Sequence, residues 1–102
     1  MGNIGAVKLS GTNWIDLDQQ TIKHNDKTLT LTLMAGSTYL IEPKFASGIF
    51  IYVGEPTDIP NDMEAHTCKK EDKVAVTLQE GQTIFVKNNN FLSGDNYIAI
   101  SM

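Results

Sequence analysis

The sequence predicts an all-β domain, an antiparallel β-sandwich of seven to nine strands, either jelly-roll-like or built from two similar meanders. Three observations point there. Apolar and polar residues alternate with period two, the runs that do so are short, and Gly, Asn, Asp or Pro separates them. The clearest run is Lys27–Leu33, read K-T-L-T-L-T-L. On a strand its threonines face one way and Leu29, Leu31 and Leu33 the other, whereas a helix would scatter the leucines around its circumference. At 102 residues the chain has the length of one domain, 1–102.

In chain order, the residues Met1–Ala6 read as an N-terminal arm or a frayed end. Val7–Leu9 and Trp14–Leu17 follow as strands, expected to form an N-terminal hairpin. After Lys27–Leu33 come strand signals at Thr38–Ile41 and Ile49–Val53, rich in β-branched and aromatic residues. Gly54–Asp72 has no clear period. It carries Pro56, Pro60 and a series of acidic residues, and reads as a long connection crossing between sheets, with a short turn or strand near Glu64–Cys68. Val74–Leu78, Thr83–Lys87 and Tyr97–Ser101 complete the set, with Asn88-Asn89-Asn90 as a solvated loop tip. The expected core is Leu29, Leu31, Leu33, Ile49, Ile51, Val53, Val76, Leu78, Ile84, Val86, Ile98 and Ile100.

An internal repeat organises these elements. Thr32-Leu33-Met34-Ala35-Gly36-Ser37-Thr38 lies over Thr77-Leu78-Gln79-Glu80-Gly81-Gln82-Thr83, each followed by three apolar residues. At nearly the same offset, Phe45-Ala46-Ser47-Gly48 lies over Phe91-Leu92-Ser93-Gly94. The shared glycine marks a tight turn needing positive φ, which only glycine adopts without strain. The repeat predicts a unit of strand, turn, strand, loop, strand used twice, as two meanders packed face to face.

Composition narrows the function. Twelve acidic residues against eight lysines give a formal net charge of −4, and no basic stripe is visible, which argues against nucleic acid as the main partner. No run approaches the ~20 apolar residues that cross a membrane. Met1–Lys8 lacks a charged segment leading into an apolar one, so no signal peptide is expected and the chain is expected to be made and kept in the cytosol, or assembled there into something larger. A lone cysteine, Cys68, excludes an internal disulfide; Lys69 and Lys70 beside it favour its thiolate, but no catalytic signature surrounds it.

The residues present no catalytic constellation, so an enzyme is not expected. His24 and His66 lie far apart with no H-E-x-x-H spacing, and His24 reads as a loop histidine. Asp16 and Asp18 flank Leu17 and would share a strand face, a start for a cation site but one without further ligands. No metal or cofactor is expected. Among the aromatic residues Trp14, after the polar run Ser10–Asn13, is the candidate for exposure, either packing in the core or at an interface or stacking on a sugar. The latter motivates the alternative reading, a carbohydrate- or receptor-binding module of a fibre or adhesin.

The combination T-L-T-L-x-A-G-x-T-Y at 30–39, G-x-F-I-x-V-G at 48–54 and Y-I-A-I-S at 97–101 resembles the small β-sandwich structural proteins of tailed-bacteriophage virions, the capsid decoration (cement) and head-fibre proteins. The resemblance implies a virion protein made in the host cytoplasm. It would bind the major capsid protein or another virion protein as a homo-oligomer, most often a trimer. It carries over no functional residue. Val7–Leu9 and Tyr97–Met102 hold a single charge, Lys8, and as edge strands they would need covering. Val7, Leu9, Trp14, Tyr97, Ile100 and Met102 are therefore the candidate interface.

Overall fold

The computed structural model describes residues 3–10, 13–44, 48–69, 72–89 and 95–102. Among them are ten strands and no helix: β1 Asn3–Ser10, β2 Ile15–Asp16, β3 Thr21–His24, β4 Lys27–Thr30, β5 Thr38–Pro43, β6 Ile49–Gly54, β7 His66–Cys68, β8 Val74–Thr77, β9 Thr83–Asn88 and β10 Asp95–Ser101. They form two antiparallel sheets, a six-stranded one ordered β4-β3-β1-β10-β5-β8 and a four-stranded one ordered β2-β9-β6-β7. The all-β sandwich expected from the alternation is what forms.

The topology decides between the two expected versions. β1 pairs with β10, β2 with β9, β5 with β8 and β6 with β7. These nested pairs are those of one long hairpin, closed at the β6–β7 connection and folded over so that its ladders alternate between sheets. That is the jelly roll, with the β3–β4 hairpin added beside β1. The two-meander version is not formed, because β4 does not pair with β5 and β8 does not pair with β9.

The repeat is nonetheless physical at its glycines. In each copy a backbone N–H closes a four-residue turn, Ser37 onto Met34 at 3.3 Å and Gln82 onto Gln79 at 3.1 Å, with Gly36 (φ 86°) and Gly81 (φ 82°) third. This is the type II turn, whose third position demands positive φ. The turns are corners rather than hairpins, and they meet: Gly36 N–H donates to Leu78 at 2.8 Å and Leu78 N–H to Ser37 at 3.0 Å. Of the F-x-S-G copies, Phe45–Ser47 and Phe91–Gly94 lie outside the described residues.

The core lies between the sheets. Ile41, Ile98 and Ile100 from the larger sheet face Ile49, Ile51, Ile84 and Val86 from the smaller, all essentially without solvent contact. Full burial of each such side chain favours folding by about 1.5–3 kcal/mol. Tyr39 is buried with them, and its hydroxyl accepts the Met34 N–H at 2.8 Å, so the ring fills the core and its polar end pins the first corner.

Several expectations are corrected. Leu29 is exposed, because β4 is an edge strand overhanging the narrower sheet; Leu33 and Val53 are only partly buried. No N-terminal hairpin forms: β1 and β2 belong to different sheets. Asn3–Ala6, placed in the candidate arm, are strand paired to β10; Met1 and Gly2 lie outside the described residues. β1 and β10 are not edges, since β3 covers one and β5 the other. Gly54–Asp72 does not cross between sheets along most of its length; it returns through β7 to pair with β6, and the crossing follows Cys68. Asn88 is not a loop tip but buried strand, its side-chain amide donating to Leu9 O in the opposite sheet at 3.3 Å.

Candidate interaction surface

The residues singled out from sequence disperse in the fold. Val7, Leu9 and Ile100 are in the core, turned between the sheets by strand alternation, and present no side-chain surface to a partner. Trp14 is half-buried, while Tyr97 and Met102 are exposed at 38% and 42%. The candidate interface is thus not one continuous patch.

Asp16 and Asp18 have structural work. Asp16 accepts the Thr83 hydroxyl and the Asp18 N–H (2.9 Å), and Asp18 accepts the Leu33 N–H at 3.0 Å. Together they tie the β2–β3 corner to β9 and to the segment after β4. Only Asp16 lies in β2, so the pair shares no strand face. Among the described residues no cluster of three metal-ligating side chains exists. The Cys68 thiol packs against Ile49 in the core, and burial pushes its pKa up, with the Asp72 and Glu42 carboxylates adding to it. The expected thiolate-favouring effect of Lys69 does not prevail, because the side chain is buried and the charges that act on it are carboxylates; Lys70 lies outside the described residues. His24 is half-buried at the end of β3, 3.2 Å from the Asn25 amide.

Two surfaces carry features that the fold alone does not require. The first is the β6–β7 connection, residues 55–65, at the tip of the long hairpin. It is acidic throughout, with Glu55, Asp58, Asp62 and Glu64 and no lysine. Two turns give it shape. Asp58 N–H donates to Glu55 O (2.9 Å) while its carboxylate accepts the Glu55 N–H (2.9 Å); Glu64 N–H donates to Asn61 O (3.0 Å) while the Asn61 side chain accepts the Met63 N–H (2.9 Å). Asp and Asn favour this side-chain capture of backbone N–H groups.

Asp62 then anchors the loop to the outer face of the smaller sheet, where its carboxylate accepts Lys87 Nζ at 2.8 and 2.9 Å. Lys87 also lies over the rings of Trp14 and Phe50, 5.7 and 5.6 Å from their centroids. Trp14 packs against Phe50 and Tyr52, and Tyr52 against Phe85, at centroid distances of 6.1–6.5 Å. These aromatic residues make a small outer cluster in which Trp14 is half-buried. Burial raises the Tyr52 hydroxyl pKa first, and Asp58 and Glu64 raise it further.

On this anchored loop Ile59 and Met63 stand out in water at 91% and 89% exposure. The sequence signal for them was present but faint, two apolar residues among prolines and acids in a segment without period.

The second surface is the outer face of the larger sheet, where the β3, β1, β10 and β5 side chains border two adjoining depressions, one lined by Lys8, Thr21 and Tyr97, the other by His24, Lys44 and Ala99.

Compared with protein-family models, curated proteins and solved structures, the chain matches none. The class it defines by its own geometry is an eight-strand jelly-roll sandwich with one added hairpin. No helix among the described residues is long and apolar enough to cross a membrane.

Proposed function

We propose that the protein is a non-enzymatic structural subunit that works by docking, of the kind that decorates and cements tailed-phage heads, and that the β6–β7 loop is its docking element. The observation that carries this reading is the pairing of Ile59 and Met63, both almost wholly exposed, with a loop backbone held by two turns and the Lys87–Asp62 ion pair. Single exposed apolar residues are ordinary. Two on one anchored acidic loop are a preformed contact, because their burial against a partner would contribute up to about 1.5–3 kcal/mol each and little ordering is needed on binding. The partner is a virion protein, the major capsid protein first among them, and the place of work is the virion surface.

The test is co-sedimentation of the purified protein with shells assembled from the major capsid protein of the same genome. Wild-type protein is expected to pellet with shells at a fixed stoichiometry, and Ile59→Ser/Met63→Ser to remain in the supernatant while retaining its melting temperature. Equal pelleting of the two would remove the loop from the contact, and absence of pelleting by either would remove the decoration reading.

A further inference from the structure

The two depressions on the outer face of the larger sheet, about 330 and 370 Å³, share Ala6 and Lys23 and form one trough. Its floor follows from register. Ala6 pairs with Ala99 across β1–β10, Lys23 pairs with Ala6 on one side, and Glu42 pairs with Ala99 on the other. Residues directly opposite in a ladder share a face, so Lys23–Ala6–Ala99–Glu42 is one row, with two methyl groups between charged walls. Four strands at ~4.8 Å spacing put those walls about 14 Å apart at the backbone, wide enough for one chain segment with its side chains. Alanine is depleted in strands, so two facing alanines in central strands are not what strand formation asks for. They leave room.

The trough and the loop have opposite charge. Of the charged side chains lining the trough, Lys8, Lys23 and Lys44 are cationic, and the one carboxylate, Glu42, is bound by Lys44 at 3.0 Å with Lys73 at 4.0 Å. The Glu42 carboxyl is held below the usual carboxylate range, first by the Lys44 hydrogen bond and then by the charges of Lys44 and Lys73, while burial opposes them. The loop carries the other sign, with Glu55, Asp58, Asp62 and Glu64 and no lysine among residues 55–65. The two features also lie on opposite sides of the sandwich. Lys87, which holds the loop, is on the outer face of the smaller sheet, and the trough is on the outer face of the larger.

From this complementarity we infer that the trough receives the β6–β7 loop of a second copy of the chain, with Ile59 and Met63 over the alanine floor and the loop acids against Lys23 and Lys44. The inference rests on the reading of the loop as a docking element and adds a second copy of the chain to its partners. Because knob and trough are different surfaces, the contact is heterologous: it closes into a ring where the rotation per step allows and otherwise runs on as a chain. A subunit that grips its neighbour in this way cements a surface laterally.

Light scattering coupled to size exclusion reads the result directly. Wild-type protein is expected to rise above its 11.2 kDa monomer mass with concentration. It should dissociate about tenfold more readily between about 0.1 M and about 1 M salt, where the screening length falls from ~10 to ~3 Å. Lys23→Glu/Lys44→Glu and Ile59→Ser/Met63→Ser should each be monomeric alone. Mixed, they retain one intact trough and one intact loop, and should form a heterodimer of twice the monomer mass that cannot grow; an interface of loop against loop or trough against trough would not complement in this way. This also shows that both variants fold. A monomeric wild type overturns the inference, as does failure of the mixture to complement or unchanged association of either variant. Binding of a sulfated polysaccharide such as heparin to a monomer that never associates, lost in Lys23→Glu, would overturn it in favour of an anionic glycan. A monomeric wild type whose loop variant still fails to pellet with shells would leave the docking reading standing without this one.

Discussion

The β3–β4 hairpin and the β6–β9 pair are both two-stranded ladders in register, yet the better-patterned of the two is the less buried. Lys27–Thr30 has regular alternation and every one of its residues is exposed, whereas β9, Thr83–Asn88, has its inward and most of its outward side chains covered. The cause is the unequal width of the sheets, six strands against four. β6 and β9 are central in the smaller sheet, with the whole larger sheet beneath them and the β6–β7 loop anchored above. β4 lies at the far edge of the larger sheet, beyond the end of the smaller. Alternation therefore tells which residues share a face; whether that face meets another layer is decided by the strand order, which no local pattern carries.

The largest expected effect is on the buried side of this contrast. Ile84 has no solvent contact, and its side chain sits where the two sheets meet. Ile84→Ala should lower stability by about 2–5 kcal/mol in urea unfolding, the sum of lost burial and an unfilled cavity. A loss below about 1 kcal/mol would mean that β9 is not covered as described and that the contrast fails.

Next in size is the corner that the repeat announces. Gly81 has φ 82° and nothing within 4 Å of where a Cβ would stand. Gly81→Ala should therefore cost about 1–2 kcal/mol from backbone strain alone. D-Alanine introduced by chemical synthesis should cost nothing, since its mirror-image preference matches the turn. An equal loss with both would assign the cost to crowding instead.

These positions show what the sequence made legible. Period-two runs located most of the strands and much of the core, and the turn glycines located both corners, because backbone chemistry at a corner is local. Pairing was not legible. That β1 lies between β3 and β10, and that Ala6 therefore faces Ala99, depends on joining the two ends of the chain. β3, Thr-Ile-Lys-His, has one apolar residue and gave no run to recognise, and His66–Cys68 is strand only because β6 offers it a ladder. The Asp16 and Asp18 carboxylates offered the start of a cation site because nothing local revealed that the distant Thr83 hydroxyl and Leu33 N–H would occupy them. The docking loop was visible as an aperiodic stretch, but its shape depends on Lys87, which follows it by two strands and a corner.

That anchor supplies the third prediction. Lys87 is both ion-paired to Asp62 and placed over two rings, and its side chain is 18% exposed, so the pair is better sheltered than a surface salt bridge. Lys87→Met keeps most of the apolar stem and removes the charge. The expected loss is about 1 kcal/mol, with a further sign in hydrogen exchange: N–H groups of the loop turns, such as Asp58 and Glu64, should exchange faster while those of β6 do not. Uniform acceleration would show that Lys87 supports the sheet rather than the loop.

The smallest effect belongs to Leu29, and it is the sharpest test of the contrast because the residue lies in the most regular run of the chain. Leu29 shares its face with Ile22, its partner in the β3–β4 ladder, and Ile22 is buried while Leu29 is 47% exposed. The apolar face of the hairpin thus leaves the core within the width of one strand. Leu29→Ser should change stability by no more than about 0.5 kcal/mol, as for surface substitutions that disturb no cap, turn or buried contact. The same substitution at Leu31, two residues on and 3% exposed, should cost several times more, since a hydroxyl would replace a packed side chain beside Gln20 and the β2–β3 corner. If the two substitutions cost the same and both are large, Leu29 is covered in solution by something other than its own chain. The overhanging hairpin would then be a contact surface in its own right, and the association measured by light scattering should fall with Leu29→Ser as it does with the trough and loop variants.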